Sequence, residues 1–252
     1  MGKASKGVAF VWVALSVALA VLAWIDYDPQ FRLYFSDLQQ TASSLIAALL
    51  CFRTWAAFPP GSPLSRAWGL IGAGVLAWGV GATIFGAYPI LHGGQDTPYP
   101  YFSDIGYLAT SPLISAGLLS FRRSAGLTTP AWGWALALAL LVGCGYWTFL
   151  ANREGLTGGD FATQLSSLGY TLFDPILLAV TVLLATAFRG GVIGRAWWYV
   201  VWGVLLYIVA NQLYTYLMLS ERYVTGSWID IGWMLGFGFI AWAAATTRQM
   251  LR

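Results

Sequence analysis

Residues 66–80 read RAWGLIGAGVLAWGV, and residues 195–209 read RAWWYVVWGVLLYIV. Seven positions match without a gap: Arg66/Arg195, Ala67/Ala196, Trp68/Trp197, Gly74/Gly203, Val75/Val204, Leu76/Leu205 and Val80/Val209. The apolar run after each stretch also matches, FSDIGYL at 102–108 against WIDIGWM at 228–234, with Asp104 over Asp230. The order arginine–aromatic, Gly-Val-Leu, then Asp-Ile-Gly in both halves points to one hairpin used twice. The two copies are four apolar runs apart. An even separation keeps both halves in the same orientation, related by an axis along the membrane normal.

Working outward from that hairpin, eight runs are long enough to span a bilayer, whose hydrocarbon core takes about 20 apolar residues to cross. They fall near 7–25, 37–57, 67–91, 102–121, 131–151, 163–188, 195–219 and 228–247. The chain is 58% hydrophobic and 9% charged, more apolar surface than a soluble chain of this length can hide. The expected fold is all-α: a polytopic membrane protein, an eight-helix bundle of duplicated helical hairpins. Residues 1–252 form a single integral membrane domain with repeat halves at about 7–123 and 131–248. The first run lacks a small-residue cleavage site and is read as an uncleaved span.

Charge fixes an orientation. Lys3, Lys6, Arg53, Arg66, Arg122, Arg123, Arg189, Arg195, Arg248 and Arg252 share one side if the runs alternate, and Arg32, Arg153 and Arg222 take the other. All ten Asp and Glu residues lie away from the basic side. Short loops rich in Lys and Arg stay cytoplasmic, so both termini are expected inside. The net charge of +3 is then a topology signal, and no nucleic-acid partner is expected. Trp24, Trp55, Trp68, Trp197, Trp198 and Trp228 lie near run ends, where an aromatic belt would put them. Cys51 and Cys144 fall at different depths and are read as packing residues without a disulfide.

Four aspartates stand near the outer ends of apolar runs: Asp37, Asp104, Asp174 and Asp230. An arginine closes each run at Arg53, Arg122, Arg189 and Arg248, roughly 22–27 Å away along a helix. Each carboxylate therefore sits in the outer leaflet. One reading is helix capping, since Asp is a favoured N-cap and the helix dipole stabilises it. It suits Asp37 and Asp104 best. Asp174, followed by Pro175, is read as lying inside a Pro-kinked span, where an ionisable group is a functional hypothesis. The other reading is a ring of acids lining an outward-facing small-ligand pocket. The candidate ligand-binding residues are Asp104, Asp174, Asp230, Tyr107, Asn211, Gln212, Tyr214 and Trp233, with Tyr99, Tyr101, Tyr170, Tyr216 and Trp228 as neighbours. The Asn211-Gln212 amide pair deep in an apolar run also has a plain role, interhelical hydrogen bonding.

Several chemistries lose their residues here. Both lysines are N-terminal, so no span interior can form a retinal Schiff base. The single His92, in the loop HGGQDTPYP, leaves no His cluster for haem or metal and no ordinary hydrolytic triad. Cys-x-x-Cys, P-loop and GxSxG patterns are missing from the sequence. No catalytic constellation is expected, and the residues name no cofactor.

The pieces GYTLFDPILLAVTVLLA (169–185), YFSDIGYL (101–108) and GSWIDIGWMLGFGFIAWAAA (226–245) resemble a known family. It is the multi-span N-terminal membrane module of bacterial signalling proteins with GGDEF, EAL or kinase output domains. Gly226, Asp230, Gly232, Trp233 and Gly236 match its closing G-x-x-x-D-x-G-W-x-x-G pattern, and Asp174 with Leu177 and Leu178 matches its "gD" before a leucine-rich span. The resemblance covers about 66–245. It implies a sensory or input module in the bacterial inner membrane, acting through a separate protein partner. Four residues follow Arg248, so the catalytic output is expected to be missing. A small transporter or channel is the alternative, and an accessory subunit of a larger membrane complex a further one.

Overall fold

The structure, a computed structural model, describes residues 3–188 and 192–251. Arg189, Arg252 and the Lys3 side chain, all used in the orientation argument, lie outside the described residues. Among these residues the chain is all-helical, with no strand. The helices are α1 (Lys3–Trp24), α2 (Pro29–Trp55), α3 (Pro63–Leu91), α4 (Phe102–Ser124), α5 (Ala131–Gly158), α6 (Phe161–Ala187), α7 (Val192–Leu219) and α8 (Asp230–Met250). Four helices, α3, α5, α6 and α7, are long and apolar enough to cross a membrane, and α1 adds a shorter apolar stretch over Ala9–Trp24.

Polar caps set the helix ends that hydropathy misses. α2 starts at Pro29, well before the expected 37, because Asp28 accepts from the Phe31 N–H at 2.7 Å and proline suits the first helical position. Asp37 is therefore interior to α2 and caps nothing, which corrects the capping expectation for it. Ser62 caps α3 through the Ser65 N–H at 3.2 Å, and Asp160 caps α6 through the Thr163 N–H at 2.8 Å. That N–H holds the Asp160 carboxyl below its usual range. α5 runs past the expected 151 to Gly158 through a polar stretch, where Asn152 Nδ2 donates to the Thr148 carbonyl at 2.9 Å.

Successive helices alternate in direction. In α3–α4 a Cβ added at Gly74 would lie 2.9 Å from Ile114 and 3.0 Å from the Thr110 carbonyl. In α7–α8 a Cβ at Gly203 would lie 2.9 Å from Ile240 and 2.6 Å from the Gly236 carbonyl. Gly74 corresponds to Gly203, Thr110 to Gly236 and Ile114 to Ile240 in the sequence alignment of the two hairpins. Gly106 meets the Ala77 carbonyl and Gly81, and Gly232 meets Leu206 and Ala210, again matching positions. Both hairpins thus close in one register, with small residues where the helices cross.

Across the halves, α2 lies along α8 and α6 lies along α4, each pair parallel. Thr54 Oγ1 donates to the Ala244 carbonyl at 3.0 Å in the first pair. Trp68 and Trp197, the matched tryptophans, are 0% and 1% exposed and face each other at 5.3 Å. The belt expectation fails for these two. They plug the bundle core at its basic end, and Phe121 stacks on Trp197 at 3.5 Å. Trp24 at 90%, Trp228 at 61% and Trp55 at 47% exposure do face outward.

The first helices of the halves differ. α1 packs on α8, with Trp12 over Gly238, whereas α5 packs on α6 through Gly133 and Gly155. Both are peripheral, and the α5 apolar stretch is only 11% buried. The matching contacts cover α3–α4 and α7–α8, and α1 and α5 differ in what they pack against. Cys51 is buried and Cys144 half-buried, and both are free thiols.

Candidate functional site

Alternating helices gather the four aspartates at one end of the bundle. On α4, Asp104 and Ser111 are seven residues apart and share a face; on α6, Tyr170 and Asp174 are four apart and share another. The two faces meet. Tyr170 donates to Asp104 Oδ1 at 2.5 Å, and Ser111 donates to Asp174 Oδ1 at 2.7 Å. Asp104 also accepts from the Tyr101 N–H at 2.7 Å, so it secures the start of its own helix. The capping expectation holds for Asp104 in this form, with the acid inside the first turn.

Asp174 is interior to α6, with Pro175 inside the same helix. Its Oδ2 accepts from Asn211 Nδ2 at 2.8 Å, and Asn211 Oδ1 accepts from the Trp233 indole N–H at 2.6 Å. A continuous chain, Ser111–Asp174–Asn211–Trp233, therefore links α4, α6, α7 and α8. Asp230 is 0% exposed. Its Oδ2 accepts from Ser36 of α2 at 2.7 Å and from the Gly226 N–H at 2.7 Å, and its Oδ1 from the Tyr223 hydroxyl at 3.0 Å. Gln40 donates to the Ser36 hydroxyl at 3.0 Å, extending this second chain along α2.

The acids carry no basic partner among the described residues. Among the described residues the one ion pair is Arg32–Asp26 at 2.9 Å, away from the cluster. Neutral donors satisfy Asp104, Asp174 and Asp230. Three donors on a buried carboxylate offset much of its desolvation. Asp37 is half-buried against Gly86, and no hydrogen bond reaches its carboxylate from the described residues. In the connections, burial raises the Tyr99 hydroxyl above its usual range and raises the Tyr223 hydroxyl well above it, the Asp230 carboxylate adding to the latter.

Aromatic rings pack under the acids. Trp78 sits 5.5 Å from Tyr107 and 6.2 Å from Trp233, and Tyr214 lies 5.7 Å from Trp233 and 4.7 Å from Tyr223. Of the expected site residues, Asp104, Asp174, Asp230, Asn211 and Trp233 join the hydrogen-bond network, and Tyr107 and Tyr214 join through their rings. Gln212 does not join: its Oε1 is buried without a partner, so the expected amide pair acts through Asn211 alone. Tyr216 and Trp228, at 49% and 61% exposure, point away from the cluster. His92 lies at the end of α3, exposed and stacked on Tyr88. Sequence reasoning missed Ser36, Gln40, Ser111, Tyr223 and Trp78. The seven-residue spacing of Asp104 and Ser111 was the available signal.

No group of three or more His, Cys, Asp and Glu residues able to hold a metal occurs among the described residues. No family model, curated protein or solved structure matches the chain.

Proposed function

We propose that this chain is a polytopic module of a bacterial inner membrane that receives a signal at its acidic end and acts through a separate protein. The reading has eight spans, two like-oriented halves and cytoplasmic termini. Its support is the surface as well as the helices. Phe10 at 75%, Val142 at 62%, Leu138 at 61%, Ile90 at 64% and Phe161 at 80% exposure lie around the bundle, where lipid would cover them. All the described basic residues at α-helix ends except Arg32, Arg153 and Arg222 lie opposite the acids, as the positive-inside rule requires of short loops. The shared register of the α3–α4 and α7–α8 hairpins supports the duplication.

One observation carries the sensory role. The hydrogen bonds of Asp104, Asp174 and Asp230 tie together α2, α4, α6, α7 and α8, from both halves, at a single end. A small ligand or partner that takes one donor from this network changes the helix contacts of both halves at once. The protein needs no catalytic group for that role, and none is assigned to it.

The test is capture of the intact protein from native membrane with identification of what is bound. A co-purifying signalling protein, its recovery changed by Asp174→Asn at equal folded protein, is the expected result. Recovery within a large stable complex would favour the accessory-subunit reading. Buried carboxylates in apolar helices also mark ion paths, so a flux assay in liposomes decides the transporter reading. Ion or solute flux abolished by Asp174→Asn would replace the sensory proposal.

A further inference from the structure

At the opposite end of the bundle, a groove of about 360 Å³ runs between α2 and α3, lined by Phe52, Trp55, Arg66, Gly69 and Leu70. We infer that this groove binds one anionic phospholipid of the cytoplasmic leaflet, its phosphate on Arg66 and an acyl chain against Phe52, Trp55 and Leu70. The inference rests on the membrane reading above.

The groove is graded in the way a lipid is. Arg66 lies in the first turns of α3, exposed, its guanidinium making no hydrogen bond or ion pair to the described residues. Gly69 and Leu70 follow three and four residues further in, roughly 5–6 Å deeper along the helix. There the wall becomes Phe52 and Trp55, which meet edge to face at 6.2 Å. A charged mouth therefore opens onto an apolar floor. No Asp or Glu lies at this end to pair with the arginine, while Lys6, Arg53, Arg122, Arg123, Arg195 and Arg248 share it. An anionic headgroup is the complement, and basic pockets between spans on the cytoplasmic side suit such headgroups.

The second half carries a different residue at the matched glycine. The position matched to Gly69 is Trp198, whose ring packs 5.4 Å from Phe188. Arg195 remains there, whereas in the first half the Trp55 indole of α2 lies against Gly69, 3.2 Å from where a Cβ would stand.

The probe is the full chain in nanodiscs of equal phosphatidylglycerol and phosphatidylcholine, with retained lipid read by native mass spectrometry. The expected result is one phosphatidylglycerol held per chain in preference to phosphatidylcholine. Arg66→Gln should lower that preference about fivefold. Arg53→Gln removes the same charge from a residue outside the groove and should leave it within about twofold of wild type. Gly69→Leu should reduce retention of both lipids while Arg66 stays in place. Equal retention of the two lipids by wild type, or equal losses in Arg66→Gln and Arg53→Gln, overturns the inference, and that pair decides it even if Gly69→Leu fails to fold. A chain that does not enter nanodiscs refutes the membrane reading along with it. One that enters without lipid preference refutes the lipid site alone.

Discussion

The interface between α2 and α3 and that between α6 and α7 share matched sequence along α3 and α7, and they are packed differently. Along α3, Gly72, Gly79 and Gly86 face α2, and a Cβ on them would meet Cys51 at 3.0 Å, Ser44 Oγ at 2.6 Å and Asp37 at 3.1 Å. The matched residues of α7 are Val201, Ile208 and Thr215. Without glycines, α7 cannot draw α6 in as α3 draws α2, and the two touch only lightly. Asn211 spans that wider seam to reach Asp174, whereas Asp37 in the tight seam packs directly on Gly86. One glycine line thus separates a close-packed half from a half held by a polar bridge. The α3–α4 and α7–α8 hairpins keep the same register in spite of the difference.

The strongest challenge to that comparison is Gly79→Ile, which gives α3 the residue α7 carries. A branched side chain forced against Ser44 and Leu45 should cost about 3 kcal/mol, at the upper end for overpacking. The readout is thermal unfolding in detergent. Unchanged stability would mean that the seam is not close-packed there.

A smaller effect compares the matched acids. Asp230 takes three donors at full burial, and Asp104 takes two, one from its own helix start. An amide in place of Asp230 turns an NH2 toward at least one donor, so Asp230→Asn should cost about 2 kcal/mol against about 1 kcal/mol for Asp104→Asn. Equal losses in parallel melts would remove the distinction.

The smallest concerns the polar bridge. Trp233→Phe keeps the ring against Trp78 and Tyr214 and removes the donor to Asn211. A loss of about 1 kcal/mol is expected.

Much of this was legible in the sequence because the hairpin motif is periodic and faces inward. Gly74, Gly106, Gly203 and Gly232 mark helix crossings, and the Asp-Ile-Gly stretches place Asp104 and Asp230 beside two of them. The polar starts of α2 and the tail of α5 were not legible from hydropathy. Caps such as Asp28-Pro29 decide them, and they leave Asp37 inside α2. Trp68 and Trp197 stand at run ends like belt residues, and only the pairing of the halves puts them inside. Ser36 and Ser111 look like any small residue in an apolar helix until a facing acid is known. Nothing in α1 or α5 says which helix each will choose, since both are apolar over most of their circumference.

The central claim is eight passages with the aspartates at the outer face. Cysteine labelling tests it most directly. In a chain carrying Cys51→Ala and Cys144→Ala, single cysteines replace Tyr27, Gln95, Gly158 and Arg222 in the acidic-end connections, and Pro60 and Thr128 in the basic-end ones. All six residues are exposed. A membrane-impermeant maleimide added to intact cells, with the outer envelope opened, should label the first four and reach Pro60→Cys and Thr128→Cys only after the inner membrane is permeabilised. Labelling of all six before permeabilisation, or any pattern in which the four acidic-end positions divide between the two sides, would contradict it.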